Sequence, residues 1–298
     1  MSQNNVVRKS CRDFKKSLLL FVLLLVLMPA TLRAQQMSIP VTDTLPSPAA
    51  QKSQDEEEDF IKPSRPGVAL PAEIQKAGVL QLEYGYDGNF RAEEFRKDQS
   101  APLTFRFAAS SRLLLEFDLD TVKSQTDEGG ERETGIGDTR LGFQVVALKD
   151  TEKHPALAFA YYIKLPSASE EKGLGTGRVD HKFVTLVSRK LGQVDMDLNG
   201  AILFVGREGA SGWVTGGQGA LAFSGEFENG FGLQGELSGQ TKDDVQPKGL
   251  FALTAVTYKA NRRLIFDAGM RAGLNSKSPR FGIFAGLTVG VADLYKKK

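Results

Sequence analysis

The sequence predicts an all-β protein, an antiparallel up-and-down transmembrane β-barrel of about 12 strands. Three observations lead to this prediction. The chain begins with the layout of a secretory signal peptide. It continues into strands that alternate between apolar and polar residues over a length that crosses a bilayer. The connections between those strands alternate between long and short, as they do in outer-membrane barrels.

Residues 1–34 have the three parts of a signal peptide. Basic residues, including Arg8 and Lys16, precede a ten-residue apolar run at 18–27, and a short stretch ending at Ala34 follows. The apolar run is shorter than the roughly 20 residues that a membrane-spanning helix needs. We therefore predict cleavage after Ala34, with a buried core helix or a short membrane anchor as the alternatives.

Removal of this segment would leave a chain without cysteine and with little net charge. Cys11 is the single cysteine of the sequence, so thiol catalysis and cysteine-based metal sites are excluded in the mature chain. Residues 1–34 carry six Lys or Arg and one Asp, so the net charge of the mature chain is 2 − 5 = −3. A charge this close to zero gives no basis for nucleic-acid binding.

Residues 35–72 are predicted to form a flexible periplasmic lead. They contain six prolines and the acidic run DEEED at 55–59. Their low apolar content is typical of chain that does not order itself. An arm that binds a partner is the alternative. The barrel is predicted to occupy residues 73–298.

Strict alternation marks the strands of this barrel. Leu115 and Phe117 alternate with Glu116 and Asp118, for example, so that one face of the strand is apolar and the other is charged. Most runs have 8–13 residues, which suits tilted transmembrane strands of about 9–11 residues better than soluble strands of about 5–6. We count twelve such runs, at residues 79–86, 101–109, 112–120, 136–147, 155–165, 179–190, 193–205, 213–225, 231–240, 249–259, 262–272 and 280–291.

The connections indicate which side of the membrane the termini occupy. Odd-numbered connections such as 87–100 and 121–135 are mostly long, whereas 110–111 and 191–192 are short. With an even number of strands, both termini fall on the side of the short turns, which is the periplasm in outer-membrane barrels. Four glycines inside the eighth run suit a curved wall, and the alternative is that they mark a loop.

Three segments carry a resemblance to a known family: 134–143 (TGIGDTRLGF), 155–166 (PALAFAYYIKLP) and 173–180 (GLGTGRVD). The chain resembles the outer-membrane transporter family named for the meta-pathway of phenol degradation, over roughly residues 66–295. The resemblance implies outer-membrane passage of hydrophobic or aromatic compounds. One departure is that the last aromatic residue, Tyr295, precedes three lysines, whereas such barrels commonly end on an aromatic residue. The matching positions are Gly135, Gly137, Asp138, Leu141, Gly142, Pro155, Ala156, Lys164, Leu165, Pro166, Gly175, Gly177 and Asp180.

Charged residues on the polar faces of the strands are predicted to line the lumen. An Arg or Lys that faces lipid at mid-depth costs about 2–4 kcal/mol, so these side chains should point inward. They either form salt bridges that plug a narrow barrel or line a polar path and set its selectivity. The predicted lumen residues are Arg106, Arg112, Glu116, Asp118, Asp138, Arg140, Lys164, Asp195, Asp197, Glu236, Arg263, Asp267 and Arg271.

No constellation in the sequence predicts an enzyme. The glycine-rich stretch 173–178 lacks the strand and helix that a phosphate-binding loop needs. The two histidines, His154 and His181, are too few for a zinc site and have no positioned nucleophile. Ser211 lies in a sequence one residue short of the GxSxG motif. We therefore expect no catalytic residues, no cofactor and no metal.

The predicted barrel places the protein in the outer membrane of a Gram-negative-type bacterium, with both termini in the periplasm. Its partners would be the lipid of that membrane, a small-molecule solute and, during insertion, the barrel-assembly machinery. Five aromatic residues are candidates for the interfacial girdles of such a barrel: Tyr161, Tyr162, Trp213, Tyr258 and Tyr295.

Three functional hypotheses remain open on the sequence alone. The first is a channel for passive passage of small solutes, including hydrophobic or aromatic ones, with the loop at 166–178 acting as a constriction. The second is a closed structural or adhesive barrel whose extracellular loops, such as 121–135, bind partners. The third is a soluble periplasmic β-sandwich or lipid carrier, which would need a second sheet to cover its apolar stripes.

Overall fold

A computed structural model of the chain describes residues 59–92, 95–207, 211–242 and 247–295. The predicted signal peptide, residues 35–58 of the predicted lead and the three terminal lysines lie outside the described residues. In the part of the chain that is described, no helix has the length and apolar character needed to span a membrane.

Thirteen strands are present in the described residues, and twelve of them form a closed antiparallel barrel. Each barrel strand pairs with its neighbours along the chain, and pairing of the first strand with the last closes the sheet. The strands are β1 (Val79–Phe90), β2 (Lys97–Ala108), β3 (Leu113–Thr126), β4 (Arg132–Gly135), β5 (Thr139–Leu148), β6 (Ala156–Leu165), β7 (Asp180–Leu191), β8 (Val194–Gly206), β9 (Trp213–Glu226), β10 (Phe231–Gln240), β11 (Gly249–Asn261), β12 (Leu264–Gly273) and β13 (Phe281–Asp293).

The short strand β4 pairs only with the end of β3, outside the barrel wall. The twelve remaining strands match the twelve predicted ones in order, so the predicted fold is confirmed and the soluble β-sandwich is wrong. The main difference is that β1 reaches Phe90 and β3 reaches Thr126, beyond the predicted ends at 86 and 120. These extensions carry few large apolar side chains, so alternation could not reveal them.

The connections divide the barrel into two ends, called here the long-loop end and the short-turn end. The long-loop end carries the connections 91–96, 127–138, 166–179, 207–212, 241–248 and 274–280. The short-turn end carries the connections 109–112, 149–155, 192–193, 227–230 and 262–263. Both ends of the barrel sequence lie at the short-turn end, where Gly78 N donates to Ala108 O and Gly78 O accepts from Leu294 N. The predicted alternation of connections is thus confirmed.

Two glycines make tight turns at the short-turn end. Gly192, in the two-residue connection 192–193, and Gly230, at the end of the four-residue connection 227–230, have φ values of 67° and 80°, in the left-handed region that favours glycine. The four glycines of the predicted eighth strand, at 216, 217, 219 and 225, lie within β9. The interpretation of them as wall residues is confirmed, and the alternative of a loop is wrong.

The two faces of the wall have opposite character. Phe159, Phe183 and Phe223 are 44–50% exposed on the outer face, whereas Arg106 and Glu83 are at most 1% exposed inside. A soluble protein has the reverse distribution. Because a closed barrel also leaves no unpaired backbone groups at a sheet edge, the arrangement is that of a transmembrane β-barrel.

Candidate functional site

Residues 59–76, called here the inner segment, lie inside the lumen near the short-turn end. The segment folds back on itself, so that Lys76 N donates to Asp59 O over 2.9 Å. Side chains of β1, β5, β7, β8, β10 and β12 hydrogen-bond to it. Residues 59–72 therefore differ from the predicted flexible lead. Their low apolar content is compatible with a polar lumen as well as with water. The composition alone could therefore not predict that the segment lies inside the barrel.

Carboxylates of the wall hold the first half of the inner segment. Glu83 accepts hydrogen bonds from the backbone nitrogen and the hydroxyl of Ser64, each over 2.8 Å. Glu236 accepts from Val68 N over 2.8 Å and from Ala69 N over 3.0 Å. Because this part of the chain pairs with no strand, the wall supplies the acceptors that its backbone needs.

Neutral polar side chains hold the second half. Asn199 Oδ1 accepts from Leu70 N over 2.6 Å, and its Nδ2 donates to Leu70 O over 2.9 Å. Gln144 Nε2 donates to the carbonyl oxygens of Pro71 and Ala72, each over 3.0 Å. Ser188 Oγ accepts from Ala72 N over 2.7 Å. The segment is thus tied to strands on opposite sides of the lumen.

Small apolar side chains of the wall make room for the segment. Leu70 and Ala72 pack against a cluster that includes three alanines of β6 and Leu186. Ala69 packs against Ala220 and Ala222 of β9. The alanines allow the segment backbone to approach the wall closely, so the lumen at this level is filled rather than open.

A chain of opposite charges runs along the wall from β1 to β5. Arg106 is fully buried and lies 3.6 Å from Glu83 and 3.1 Å from Glu116. Arg140 lies 3.7 Å from Glu116 and 2.8 Å from Asp118. Each guanidinium thus bridges two carboxylates, which is the arrangement in which buried charges are tolerated.

Nine of the thirteen predicted lumen residues lie on inward faces of the strands. Arg112 and Arg263 lie in short turns and are exposed, Asp195 is exposed beside the turn at 192–193, and Asp138 lies in the connection before β5. The alternation of polar and apolar residues continues to the ends of the strands. There, a polar residue in the inward phase can lie in solvent instead of in the lumen. The nine inward residues are Arg106, Glu116, Asp118, Arg140, Lys164, Asp197, Glu236, Asp267 and Arg271.

Between the inner segment and the long-loop end lies a cavity of about 210 Å³. Residues 64–68 and Leu70 form its floor, and its wall combines Asp118, Arg140 and Arg271 with apolar side chains such as Leu253. Arg271 forms an ion pair with Asp87. The cavity is therefore polar on the side of β1 to β5 and more apolar on the side of β11.

Glu236 and Asp267 were predicted as lumen residues, but the neutral anchors of the inner segment and Glu83 were not predicted. Glu83, Gln144, Ser188 and Asn199 all occupy inward positions of strands, and period-two alternation was a signal that could have identified them. Tyr162, predicted as a girdle residue, faces inward and is 2% exposed. Its ring lies under the guanidinium of Arg140, 4.7 Å from the ring centroid.

Comparison with known proteins fits this geometry. Residues 73–291 match the family described as "Putative MetA-pathway of phenol degradation". The chain belongs to this family. A search of curated proteins finds no match.

One solved structure shares the fold of this chain. The chain resembles an outer membrane channel from Pseudomonas putida F1 at a TM-score of 0.56 and 14% identity, covering 76% of this chain and 98% of that one. It also resembles the KdgM porin at a TM-score of 0.46 and 9% identity, covering 71% and 99%. Outer membrane phospholipase A from Escherichia coli gives a TM-score of 0.41 and 11% identity, covering 80% and 97%.

The family motif residues meet at the long-loop end. Lys164 lies 3.5 Å from Asp138 and forms a second ion pair with Asp180. Asp138 Oδ1 also accepts from Ala168 N over 3.0 Å. A Cβ at Gly175 would lie 2.7 Å from Ala168 Cβ and 2.8 Å from Asp138 Oδ1, so a side chain there would force both neighbours to shift. Three separate motifs thus fasten the 166–179 connection to the barrel wall.

Proposed function

We propose that the protein is a channel for the passive passage of small solutes. The observation that carries this proposal is the cavity above the inner segment, because it places a polar, charge-lined space inside a wall with an apolar outer face. Inward charges of both signs set the selectivity of such a lumen. No covalent chemistry is required of any residue, and in the described residues no group of three or more His, Cys, Asp or Glu could hold a metal.

The solutes that we propose are small and include hydrophobic or aromatic compounds. Membership of a family described by phenol degradation supports this class. The lining of the cavity is consistent with it, since Phe251 and Leu253 lie across the space from the charged wall and Leu70 lies in the floor. A solute with an apolar body and a hydroxyl or other polar group would find partners on both sides.

We also propose that the barrel lies in the outer membrane with the short-turn end and both termini in the periplasm. Outer-membrane barrels place their long loops outside the cell and their short turns in the periplasm. The 166–179 connection and the cavity would then face the exterior, and the inner segment would close the periplasmic side.

Passage through the lumen requires the inner segment to shift. Its hydrogen bonds contribute about 0.5–1.5 kcal/mol each, and released wall carboxylates would be rehydrated by lumen water. Residues 64–70 make at least nine such bonds to the wall, which amount to about 5–14 kcal/mol in total, so openings of this segment are expected to be rare. The anchors of that stretch, Glu83, Asp267, Glu236 and Asn199, would set how often the channel opens.

The second candidate is a closed structural or adhesive barrel whose extracellular loops bind partners. The specific observation in its favour is that the inner segment fills the lumen from wall to wall. Conductance distinguishes the two candidates. In planar bilayers, we expect the full chain to give brief, discrete conductance steps, and a variant with Glu236→Ala and Asn199→Ala to give longer ones. A variant that is folded, as judged by heat-modifiable migration, and still silent would favour the closed barrel.

A further inference from the structure

The outer surface of the barrel carries one local feature that the proposed function does not use. Aromatic side chains form a continuous row across β5 to β9 at the long-loop end. Tyr161 lies at its centre, with its ring centroid 5.8 Å from that of Phe143, 4.9 Å from that of Phe183 and 6.1 Å from that of His181. His181 in turn lies 5.3 Å from Trp213. The row faces lipid, because Phe183 and Trp213 are 50% and 51% exposed.

The polar atoms of this row mark the level of the membrane interface. Tyr161 Oη and His181 Nδ1 are 2.8 Å apart, and Trp213 Nε1 donates to Val179 O over 3.1 Å. Tyr and Trp with satisfied polar atoms and apolar ring bodies concentrate where acyl chains meet headgroups. A headgroup bound next to the barrel would therefore lie just beyond Tyr161, His181 and Trp213.

Two arginines occupy that position. Arg178 precedes β7, and its stem covers the outer face of Gly206, where a Cβ would lie 2.6 Å from Arg178 Cβ. Gly206 is paired with Trp213, so Arg178 lies next to the exposed indole. Arg207 follows Gly206 directly. A groove between them is lined by Arg178, Val179, Gly206, Arg207, Gly212 and Trp213.

The guanidinium of Arg178 pairs with Glu170, and a phosphate group would be a stronger partner for it. The Arg178 side chain is 23% exposed and lies 3.5 Å from a carboxylate oxygen of Glu170, whose side chain is 62% exposed. Because the Glu170 carboxylate lies largely in solvent, this pair contributes little. Arginine binds phosphate through paired, charge-assisted hydrogen bonds, and basic residues at a membrane surface attract anionic headgroups.

We infer that this groove is a binding site for a phosphorylated lipid, with its phosphates at Arg178 and Arg207 and its acyl chains on the row from Trp213 to Phe143. Two guanidinium groups suit a headgroup with two phosphates. In the orientation proposed above, the groove faces the outer leaflet, so the occupant is the diphosphorylated glycolipid of that leaflet. The inference uses that orientation but is independent of whether the lumen conducts.

The site contains its own reporter. Trp213 is the single tryptophan of the sequence, so the fluorescence of the full chain in a neutral detergent reports this groove alone. We would titrate the protein with diphosphorylated lipid A, with the same lipid after removal of both phosphates, and with phosphatidylglycerol. We expect a saturable emission change with the first lipid at a concentration about tenfold lower than with the other two.

Matched variants assign the effect to the arginines. Arg178→Gln with Arg207→Gln should raise the apparent Kd for diphosphorylated lipid A about tenfold or more, whereas Arg112→Gln, at the other end of the barrel, should leave it unchanged. Glu170→Gln removes the competing carboxylate and should tighten binding. Heat-modifiable migration checks that each variant is folded.

Several outcomes would overturn the inference. One is equal affinity for the phosphorylated and dephosphorylated lipids, and another is the lack of a saturable change with any lipid. A preference for phosphatidylglycerol would show a glycerophospholipid site in place of the proposed one. An equal loss in Arg112→Gln would show attraction of the lipid to any arginine of the surface in place of a site at this groove. None of these outcomes bears on conductance, so failure here is distinguishable from failure of the proposed channel.

Discussion

Arg65 of the inner segment and Asp267 of β12 are paired across 202 positions of sequence, with Nε 3.1 Å from Oδ2 and Nη2 3.2 Å from Oδ1. The side chains are 14% and 4% exposed, so the pair is held in a largely dry part of the lumen. A two-point pair of this kind fixes direction as well as distance. It therefore positions the inner segment at the level where Pro66 and Gly67 reach the cavity.

Asp267→Asn should loosen the inner segment. The amide retains one hydrogen bond but removes the charge opposite Arg65, which weakens docking by about 1–3 kcal/mol. We expect the open probability in planar bilayers to rise about tenfold. The control is Asp195→Asn, an exposed residue near a short turn, which should behave like the natural protein. Equal recordings for both variants and the natural protein would contradict a gating role for the pair.

Asn199 and Gln144 should each limit solute passage by holding the inner segment, and their effects should be independent of each other. Asn199→Ala removes both hydrogen bonds to Leu70, and Gln144→Ala removes those to Pro71 and Ala72. Each should increase liposome swelling by a small neutral solute, and the double variant should increase it further, about as expected from adding two docking free energies. If swelling falls in either single variant, the side chains line the path rather than hold the segment.

Arg106→Met should destabilise the barrel more than any change at its rim. The guanidinium is fully buried between Glu83 and Glu116, and its loss leaves two carboxylates without their common cation. Breaking a buried pair in this way costs about 3–5 kcal/mol. The measurement is urea unfolding in lipid vesicles, with Arg112→Met as the exposed control. A midpoint shift no larger than that of the control would refute the structural importance of this charge chain.

Lys164→Met should release the 166–179 connection from the wall. The ammonium pairs with Asp138 and Asp180 and donates to Thr176 Oγ1 over 2.9 Å. We expect faster protease cleavage in this connection, together with a change in single-channel conductance. Lys172, whose side chain is 52% exposed in a pair with Glu133, provides the control Lys172→Met. Unchanged cleavage in Lys164→Met would show that other contacts hold the connection.

The barrel could be predicted from the sequence because its rules are local. Alternation at positions such as Leu115 to Asp118 fixes the two faces of a strand, and an Asn-Gly pair at 229–230 fixes a hairpin. The inner segment could not be predicted in the same way. Its partners, such as Glu83, Asn199 and Asp267, are up to 202 positions away, and no periodic pattern within residues 59–76 indicates them.

The candidate site could be predicted in part, less fully than the barrel but better than the inner segment. Inward charges such as Arg106, Glu116 and Arg140 were identified by alternation, but their pairing depends on which strands adjoin. Arg112 and Arg263 followed the same pattern and lie outside the lumen, since alternation carries no information about depth. The meeting of Asp138, Lys164 and Asp180 rests on motifs from three stretches of sequence and becomes interpretable only with the strands in place.

The seam between β1 and β13 has a consequence for the order of assembly. The inner segment immediately precedes β1, yet the chamber that receives it is complete only when Phe281–Asp293 has paired with Val79–Phe90. We therefore expect residues 59–76 to reach their full set of anchors only after the last strand has paired. A chain that ends before Phe281 should leave Lys62 and Arg65 open to trypsin under conditions in which the full chain is protected. The inner segment, which is synthesised before the barrel strands, would thus dock after all of them have paired.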